Sequence, residues 1–245
     1  MSQILTIDSI SLTIQEHTIL QKVSCKVHKG EIVGLIGPNG SGKTTLFNVL
    51  SGFLRPTSGT VTFHEKNITN LSPSERAHIG IGRVFQNFGI FREMTLEENV
   101  LVALEALPKV ERSLLGNLHE TVHDTLKMVG LQAHAKKKAG SLSGGQMRLL
   151  EIGRTLKSGK ELFLLDEPTA GVSPKMTHQV ADLIAQLKEE EKTVLIIEHD
   201  LPFIHKICDR VLVMDVGKIV LEGTPAEVKQ SKELKEIYFG ADPTT

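Results

Sequence analysis

Ile32-Val33-Gly34-Leu35-Ile36-Gly37-Pro38-Asn39-Gly40-Ser41-Gly42-Lys43-Thr44-Thr45-Leu46-Phe47 decides the fold class. Its first five residues are apolar throughout, as a strand covered on both faces should be, and Thr45 to Leu50 has helical character. Between them, Gly37 to Thr44 fits the pattern GxxxxGK[ST]. Strand, glycine-rich turn and helix thus follow in the order that a phosphate-binding loop requires. A phosphate needs many donors near its oxygens and no side chain in the way. Gly37, Gly40 and Gly42 permit this by letting the backbone turn tightly and present N–H groups at a helix N-terminus. Lys43 can then reach the β- and γ-phosphates as a point charge, and Thr44 offers a hydroxyl to Mg2+. The candidate nucleotide-binding set is Gly37, Pro38, Asn39, Gly40, Ser41, Gly42, Lys43, Thr44 and Thr45.

Further along, Leu162-Phe163-Leu164-Leu165 reads as a buried strand that delivers Asp166 and Glu167 to its C-terminal edge, where ligands sit in open α/β sheets. Two adjacent carboxylates there suit two tasks. Asp166 can hold Mg2+ through its water shell, and Glu167 can polarise, or take a proton from, a water attacking phosphorus. Val194-Leu195-Ile196-Ile197 is a second buried strand, followed by Glu198-His199-Asp200. An imidazole at this point can hydrogen-bond the γ-phosphate and fix the water against Glu167, although a strand-end histidine taken alone is more often structural. Leu142-Ser143-Gly144-Gly145-Gln146 is a second glycine-rich motif, about a hundred residues after the first. By itself it reads as a helix N-cap.

The flanking pattern supports an α/β fold. Ile4–Ile7, Ser11–Ile14, Val23–Val27 and Thr60–Phe63 read as strands. Helical periodicity runs from Leu96 to about Leu131, interrupted at Pro108 and ending at Gly130, and helices are expected over 147–157 and 174–190. Strands alternating with helices imply a mostly parallel sheet. The 245 residues carry 28 basic and 29 acidic side chains, 40% hydrophobic residues and a formal charge of -1. That balance supplies no general cationic field for nucleic acid or an anionic membrane. Lys136-Lys137-Lys138 is the one basic run and reads as a solvated loop or helix end. Cys25 and Cys208 lack metal-site spacing and fit buried thiols in a reducing compartment. No stretch approaches the roughly 20 apolar residues that span a bilayer, so membrane association is expected only through a partner chain.

Taken in order, the phosphate loop, LSGGQ at 142–146, LFLLDEP at 162–168 and EHD at 198–200 resemble the ATP-binding cassette (ABC) ATPases over essentially the whole chain. The resemblance implies a P-loop NTPase (RecA-like) core with a mostly parallel sheet, an antiparallel β-subdomain at the N-terminus and an inserted helical subdomain. Segments 1–86, 87–158 and 159–245 would then hold the β-subdomain with the first part of the core, the helical subdomain, and the remaining core with the C-terminal helices. It also implies a head-to-tail dimer in which ATP on one phosphate loop is capped by Ser143, Gly144, Gly145 and Gln146 of the second ATPase subunit. Gln86 would touch Mg2+ or the attacking water, in a loop that reports the nucleotide state to integral membrane permease subunits. Residues 87–100 would help to form the groove that receives a coupling helix. The chain would sit in the cytoplasm, peripheral to the inner face of the membrane.

Within that family, Leu46 to Gly59, Phe85-Gln86-Asn87 with Leu96-Glu97-Glu98-Asn99-Val100, Ile197 to Asp200 and the closing Tyr238-Phe239-Gly240 are similar to the ATPases of branched-chain amino acid importers. Two positions depart from the family pattern. Ile14, with His17 nearby, stands where members carry an aromatic residue against adenine, which predicts comparable ATP and GTP affinities. Ser173 stands where many carry Asp. The competing classes are a lipid or lipopolysaccharide exporter built on the same cassette, a chromosome-maintenance ATPase, and a P-loop kinase or GTPase. No heptad tract interrupts 90–150 as a chromosome-maintenance protein requires, and there is no guanine-reading NKxD.

Overall fold

The structure is a computed structural model and describes residues 2–85 and 89–239. Two sheets organise it. The first is antiparallel, in the order β2-β1-β4-β5, from β1 (Gln3–Ile14), β2 (His17–His28), β4 (Ser58–Phe63) and β5 (Lys66–Asn67). The second has the order β10-β9-β3-β8-β7-β6, from β3 (Ile32–Ile36), β6 (Ile81–Val84), β7 (Leu162–Asp166), β8 (Thr193–Ile197), β9 (Arg210–Asp215) and β10 (Lys218–Gly223). Its ladders are parallel except for the β9–β10 hairpin.

Helices α1 (Lys43–Leu50) and α2 (Pro73–His78) follow β3 and β5. Next come α3 (Leu96–Glu105), α4 (Lys109–Leu114), α5 (Leu118–Met128) and α6 (Gly144–Leu156), all between β6 and β7. The chain then adds α7 (Pro174–Glu189), α8 (Leu201–Ile207), α9 (Pro225–Gln230) and α10 (Lys232–Phe239).

The continuous apolar strands are explained by two cores, one on each face of the parallel sheet. Because side chains alternate along a strand, Val33 and Leu35 of β3 join one cluster while Ile32 and Ile36 join the other. Strands β7 and β8 divide in the same way. Leu162, Leu164, Leu195 and Ile197 pack with α1 and the antiparallel sheet, whereas Phe163, Leu165, Val194 and Ile196 pack towards α6 and α7. Burying an aliphatic side chain of this size contributes about 1.5–3 kcal/mol, so polar substitutions here would be unfavourable whichever way the residue points.

Several local expectations are corrected. Ile4–Ile7 and Ser11–Ile14 are parts of one strand; Ser9, at φ 51°, marks a bulge that shifts the register between Ile7 and Ile10 and mimics a turn in the sequence pattern. The helical tract from Leu96 is three helices, broken at Pro108 and around Gly116. The helix expected from 147 starts at Gly144, because Ser143 caps it. Lys136, Lys137 and Lys138 are exposed in a loop, where Lys138 pairs with Glu93 at 3.1 Å. Among the described residues no helix is long and apolar enough to cross a membrane.

Candidate nucleotide site

Parallel neighbours β3, β8 and β7 end side by side, and their register brings distant motifs together. Leu35 pairs with Ile197, and Asp166 pairs with the same Ile197 across the next ladder. The loop after Ile36, the Glu198-His199 pair and the Asp166-Glu167 pair therefore emerge in a row at one sheet edge. A cavity of about 330 Å³ lies there, lined by Ile19, Asn39, Gly40, Gly42, Lys43, Thr44, Thr45, Glu167 and His199.

The loop conformation depends on glycine at two points. Gly37 has φ +150°, and a β-carbon there would sit 2.0 Å from the Met214 carbonyl oxygen. Gly42 precedes α1 at φ 104°, a left-handed conformation that L side chains rarely adopt. Turning back over this loop, Lys43 donates from Nζ to the carbonyl oxygens of Gly37 and Pro38 at 2.8 and 2.9 Å. An ammonium has three donors, so one remains for an incoming anion. Burial lowers the Lys43 pKa, opposed by the nearby Glu167 and Asp166 carboxylates. Thr44 is exposed at the cavity and Thr45 half-buried.

Asp166 is buried at the end of β7. Its Oδ2 accepts from Arg83 Nη2 at 3.2 Å, while Oδ1 is buried with no hydrogen-bond partner. Ser41 Oγ is likewise buried without one. Burial raises the Asp166 pKa and Arg83 opposes that rise. An orphaned carboxylate oxygen at the sheet edge from which the Thr44 loop also emerges suits a hydrated Mg2+, which prefers one or two protein ligands with phosphate and water. No group of three or more His, Cys, Asp or Glu able to cage a metal occurs among the described residues, so phosphate and water would have to complete the shell.

Glu167 carries φ 48°. Its backbone N–H donates to Ile197 O at 2.9 Å, which fixes this uncommon left-handed turn. The turn aims the side chain at His199, with Oε1 3.0 Å from Nε2. Behind them, Glu198 accepts from Thr169 N–H and Oγ1–H at 2.8 and 2.7 Å, and from His199 N–H at 3.3 Å. Burial raises the Glu198 pKa; its hydrogen bonds oppose that rise.

Ser143, Gly144, Gly145 and Gln146 do not line this cavity. Ser143 Oγ accepts from Gln146 N–H at 3.3 Å and Gln146 Oε1 accepts from Ser143 N–H at 3.0 Å, a reciprocal cap that leaves Ser143 and Gly144 exposed. Gln86 lies outside the described residues. Ile14 is 43% exposed at the tip of the β1–β2 hairpin, opposite His17, and it is Ile19 that faces the phosphate loop. Ser173 precedes α7 without a side-chain cap bond.

Sequence reasoning missed Ile19 and Arg83. Both lie in short or alternating segments with no motif around them, and only the register of the sheets brings them to the site. Also unforeseen was the β9–β10 turn. Gly217, at φ +76°, donates to Ser41 O at 2.9 Å and accepts from Gln21 N–H at 2.8 Å, so the hairpin braces the loop against β2.

Comparison with known proteins agrees with this geometry. The ABC transporter family profile matches residues 20–170. A high-affinity branched-chain amino acid transport ATP-binding protein, LivG, of Salmonella typhimurium is 36% identical over 98% of this chain and 99% of its own length. A probable LivG of Methanocaldococcus jannaschii is 39% identical over 97% and 98%. A lipopolysaccharide export system ATP-binding protein, LptB, of Acidithiobacillus ferridurans is 36% identical over 98% of each. Among solved structures, the ADP conformation of an ABC transporter cassette superposes with a TM-score of 0.85, at 37% identity and covering 98% of this chain and 100% of the other. A dimeric post-hydrolysis cassette bound to ADP and Pi gives 0.78, at 28% identity over 90% and 98%.

Proposed function

The chain belongs to the ABC transporter family and is an ATP-hydrolysing cassette; from that premise we propose that it powers uptake of a branched-chain amino acid through a permease in the membrane. The single observation that carries the catalytic part is the contact of Glu167 with His199 beside Lys43 and Thr44 in one cavity. Lys43 and the loop N–H groups bind the β- and γ-phosphates. Thr44 and Asp166 would hold Mg2+, with Gln86 as a further contact to the ion or the water. The ion, when bound, neutralises charge on the phosphate oxygens.

Glu167 accepts the proton of the attacking water. His199 keeps that carboxylate aimed and donates to the γ-phosphate. The left-handed backbone at Glu167 supports this assignment, since such conformations persist where surrounding structure over-determines them, often at active sites.

Ser143 and Gly144 are exposed at the start of α6, Gln146 is half-buried and Gly145 buried behind them, and none of the four lines the chain's own phosphate-loop cavity, which supports their capping the nucleotide of a second cassette. The positive end of α6 would then face the γ-phosphate. A groove of about 430 Å³ between α3 and β6, lined by Phe53, Phe85, Phe91, Val102 and Ala106, supports docking of a permease helix. The chain would act on the cytoplasmic face through that contact alone, with no role for nucleic acid.

Cargo rests on the similarity to the LivG proteins. Purification of the tagged chain from membranes tests it. Recovery of permease chains, and ATPase activity stimulated by a binding protein loaded with leucine, isoleucine or valine, is the expected result. Stimulation by lipopolysaccharide instead would assign the chain to an exporter.

A further inference from the structure

We propose that Arg83 is a positioning residue that fixes the Asp166 carboxylate for a divalent cation and links that carboxylate to the groove walled by Phe53 and Phe85. The proposal rests on the ATPase reading above but assigns a role to a residue outside all of its motifs. Arg83 stands on the edge strand β6, paired with Leu164 of β7, so its side chain leaves the sheet on the same face as that of Asp166, two residues beyond Leu164.

Both partners are buried, at 7% and 2% side-chain exposure. Nη2 donates to Asp166 Oδ2 at 3.2 Å, and Nη1 donates to Asn48 Oδ1 at 2.7 Å and to Ser51 Oγ at 2.6 Å. Asn48 is on α1 and Ser51 caps it, so the helix that begins with Lys43 and Thr44 holds the guanidinium in place. Ser51 donates its own hydroxyl to Phe47 O at 2.6 Å, which leaves its lone pairs to Arg83. One planar fork therefore spans the phosphate-loop helix and the carboxylate. With Oδ2 committed to Arg83, the partnerless oxygen of Asp166 is Oδ1, and a rotation of the carboxylate would break the charged bond.

The opposite side of the same guanidinium is aromatic. Its central carbon lies 4.7 Å from the Phe85 ring centroid and 5.8 Å from that of Phe53, and the two rings meet edge to face at 5.5 Å. Phe53 is 54% exposed and lines the groove with Phe85. A helix seated in the groove would press on rings that stack against Arg83, so groove occupancy and carboxylate geometry share one side chain. An inert ion pair would need neither the α1 anchors nor the aromatic contact.

The test uses the full chain with ATP and Mn2+, read by the EPR signal of the bound ion, alongside ATP binding in EDTA. Arg83→Met should weaken Mn2+ binding to the ATP complex about tenfold or more, the cost typical of losing a residue that orients a metal ligand. ATP binding in EDTA should stay within about twofold. The Mg2+ concentration for half-maximal ATPase should rise while kcat at saturating Mg2+ falls far less. Arg83→Lys, which keeps the charge, should recover part of the Mn2+ affinity, and Phe53→Ala should weaken it in the same direction.

Arg83→Met with wild-type Mn2+ affinity overturns the positioning role. Should that variant fail to fold, Arg83→Lys with unchanged affinity overturns it equally, and wild-type behaviour of Phe53→Ala overturns the link to the groove. Failure of the unmutated chain to bind ATP in EDTA or with Mn2+ would instead overturn the ATPase reading.

Discussion

Glu167 shows how much depends on a single backbone angle. A residue at φ 48° lies in a region that β-branched and bulky side chains avoid, yet this conformation is what turns the carboxylate from the sheet edge towards His199. Glu167→Gln keeps the shape and removes the proposed base. It should lower kcat by about 10²–10⁴-fold while ATP affinity, measured by equilibrium binding, stays near wild type. Continued rapid turnover would exclude Glu167 as the main base. Lys43→Ala removes the buried ammonium and should cost about 1.5–3 kcal/mol of nucleotide binding, the range for a hydrogen bond to a charged group. Normal ATP binding by that variant would refute the phosphate-loop assignment. Ile19, an aliphatic residue, is the side chain that β2 brings to the cavity, so comparable ATP and GTP affinities remain the expected result of a competition assay.

At the scale of elements, the two sheets are joined at Glu31, just ahead of β3. Its carboxylate accepts from Arg210 Nε and Nη2 at 2.7 and 2.8 Å, and from His28 N–H at 2.9 Å. Arg210, on β9, also reaches the Lys26 carbonyl of β2 and Glu222 of β10. Burial alone would raise the Glu31 pKa, but the Arg210 and His28 contacts outweigh it and hold the value below the ordinary 4.5. A carboxylate with a depressed folded value stabilises the protein above its unfolded value, and that contribution is lost as pH falls through the folded one. Glu31→Gln should therefore lower stability by about 1–3 kcal/mol near neutrality. The gap from wild type in thermal melts should close progressively as pH drops below 4.5. A gap that widened on acidification would contradict the assignment.

At the scale of the whole molecule, the signature motif, exposed at Ser143 and Gly144, does not line the phosphate-loop cavity of its own chain. Their separation is the reason a second cassette is required in the proposed cycle. ATP would draw two chains together, and hydrolysis would let them part. Glu167→Gln in ATP and Mg2+ should accordingly elute at twice the monomer mass in size-exclusion chromatography. Replacing Ser143 with Arg in that background should return it to monomer by crowding the γ-phosphate of the facing chain. A dimer that persists in both nucleotide-free and Ser143→Arg forms would assign the association to another surface.

The motif residues were legible because each obeys a local rule. Gly37 and Gly42 stand where the loop leaves no room for, or no backbone conformation suited to, a side chain. Asp166 and His199 follow unbroken apolar strands, and Ser143 with Gln146 forms a cap that can be read within four residues. The unbroken apolar runs of β3, β7 and β8 likewise announce burial on both faces before any partner is known. The bulged β1 was less legible, since an extra residue at Ser9 breaks the alternation and looks like a turn. What only the tertiary structure decided is adjacency: that β8 lies between β3 and β7, that the Gly217 turn supports the phosphate loop, and that Arg83, in a short strand marked by no motif, joins Asp166 to α1 and two phenylalanines. Those relations depend on ladder order and register between segments up to about 195 residues apart, and pairwise long-range contacts leave no periodic trace in the local sequence from which they could be read.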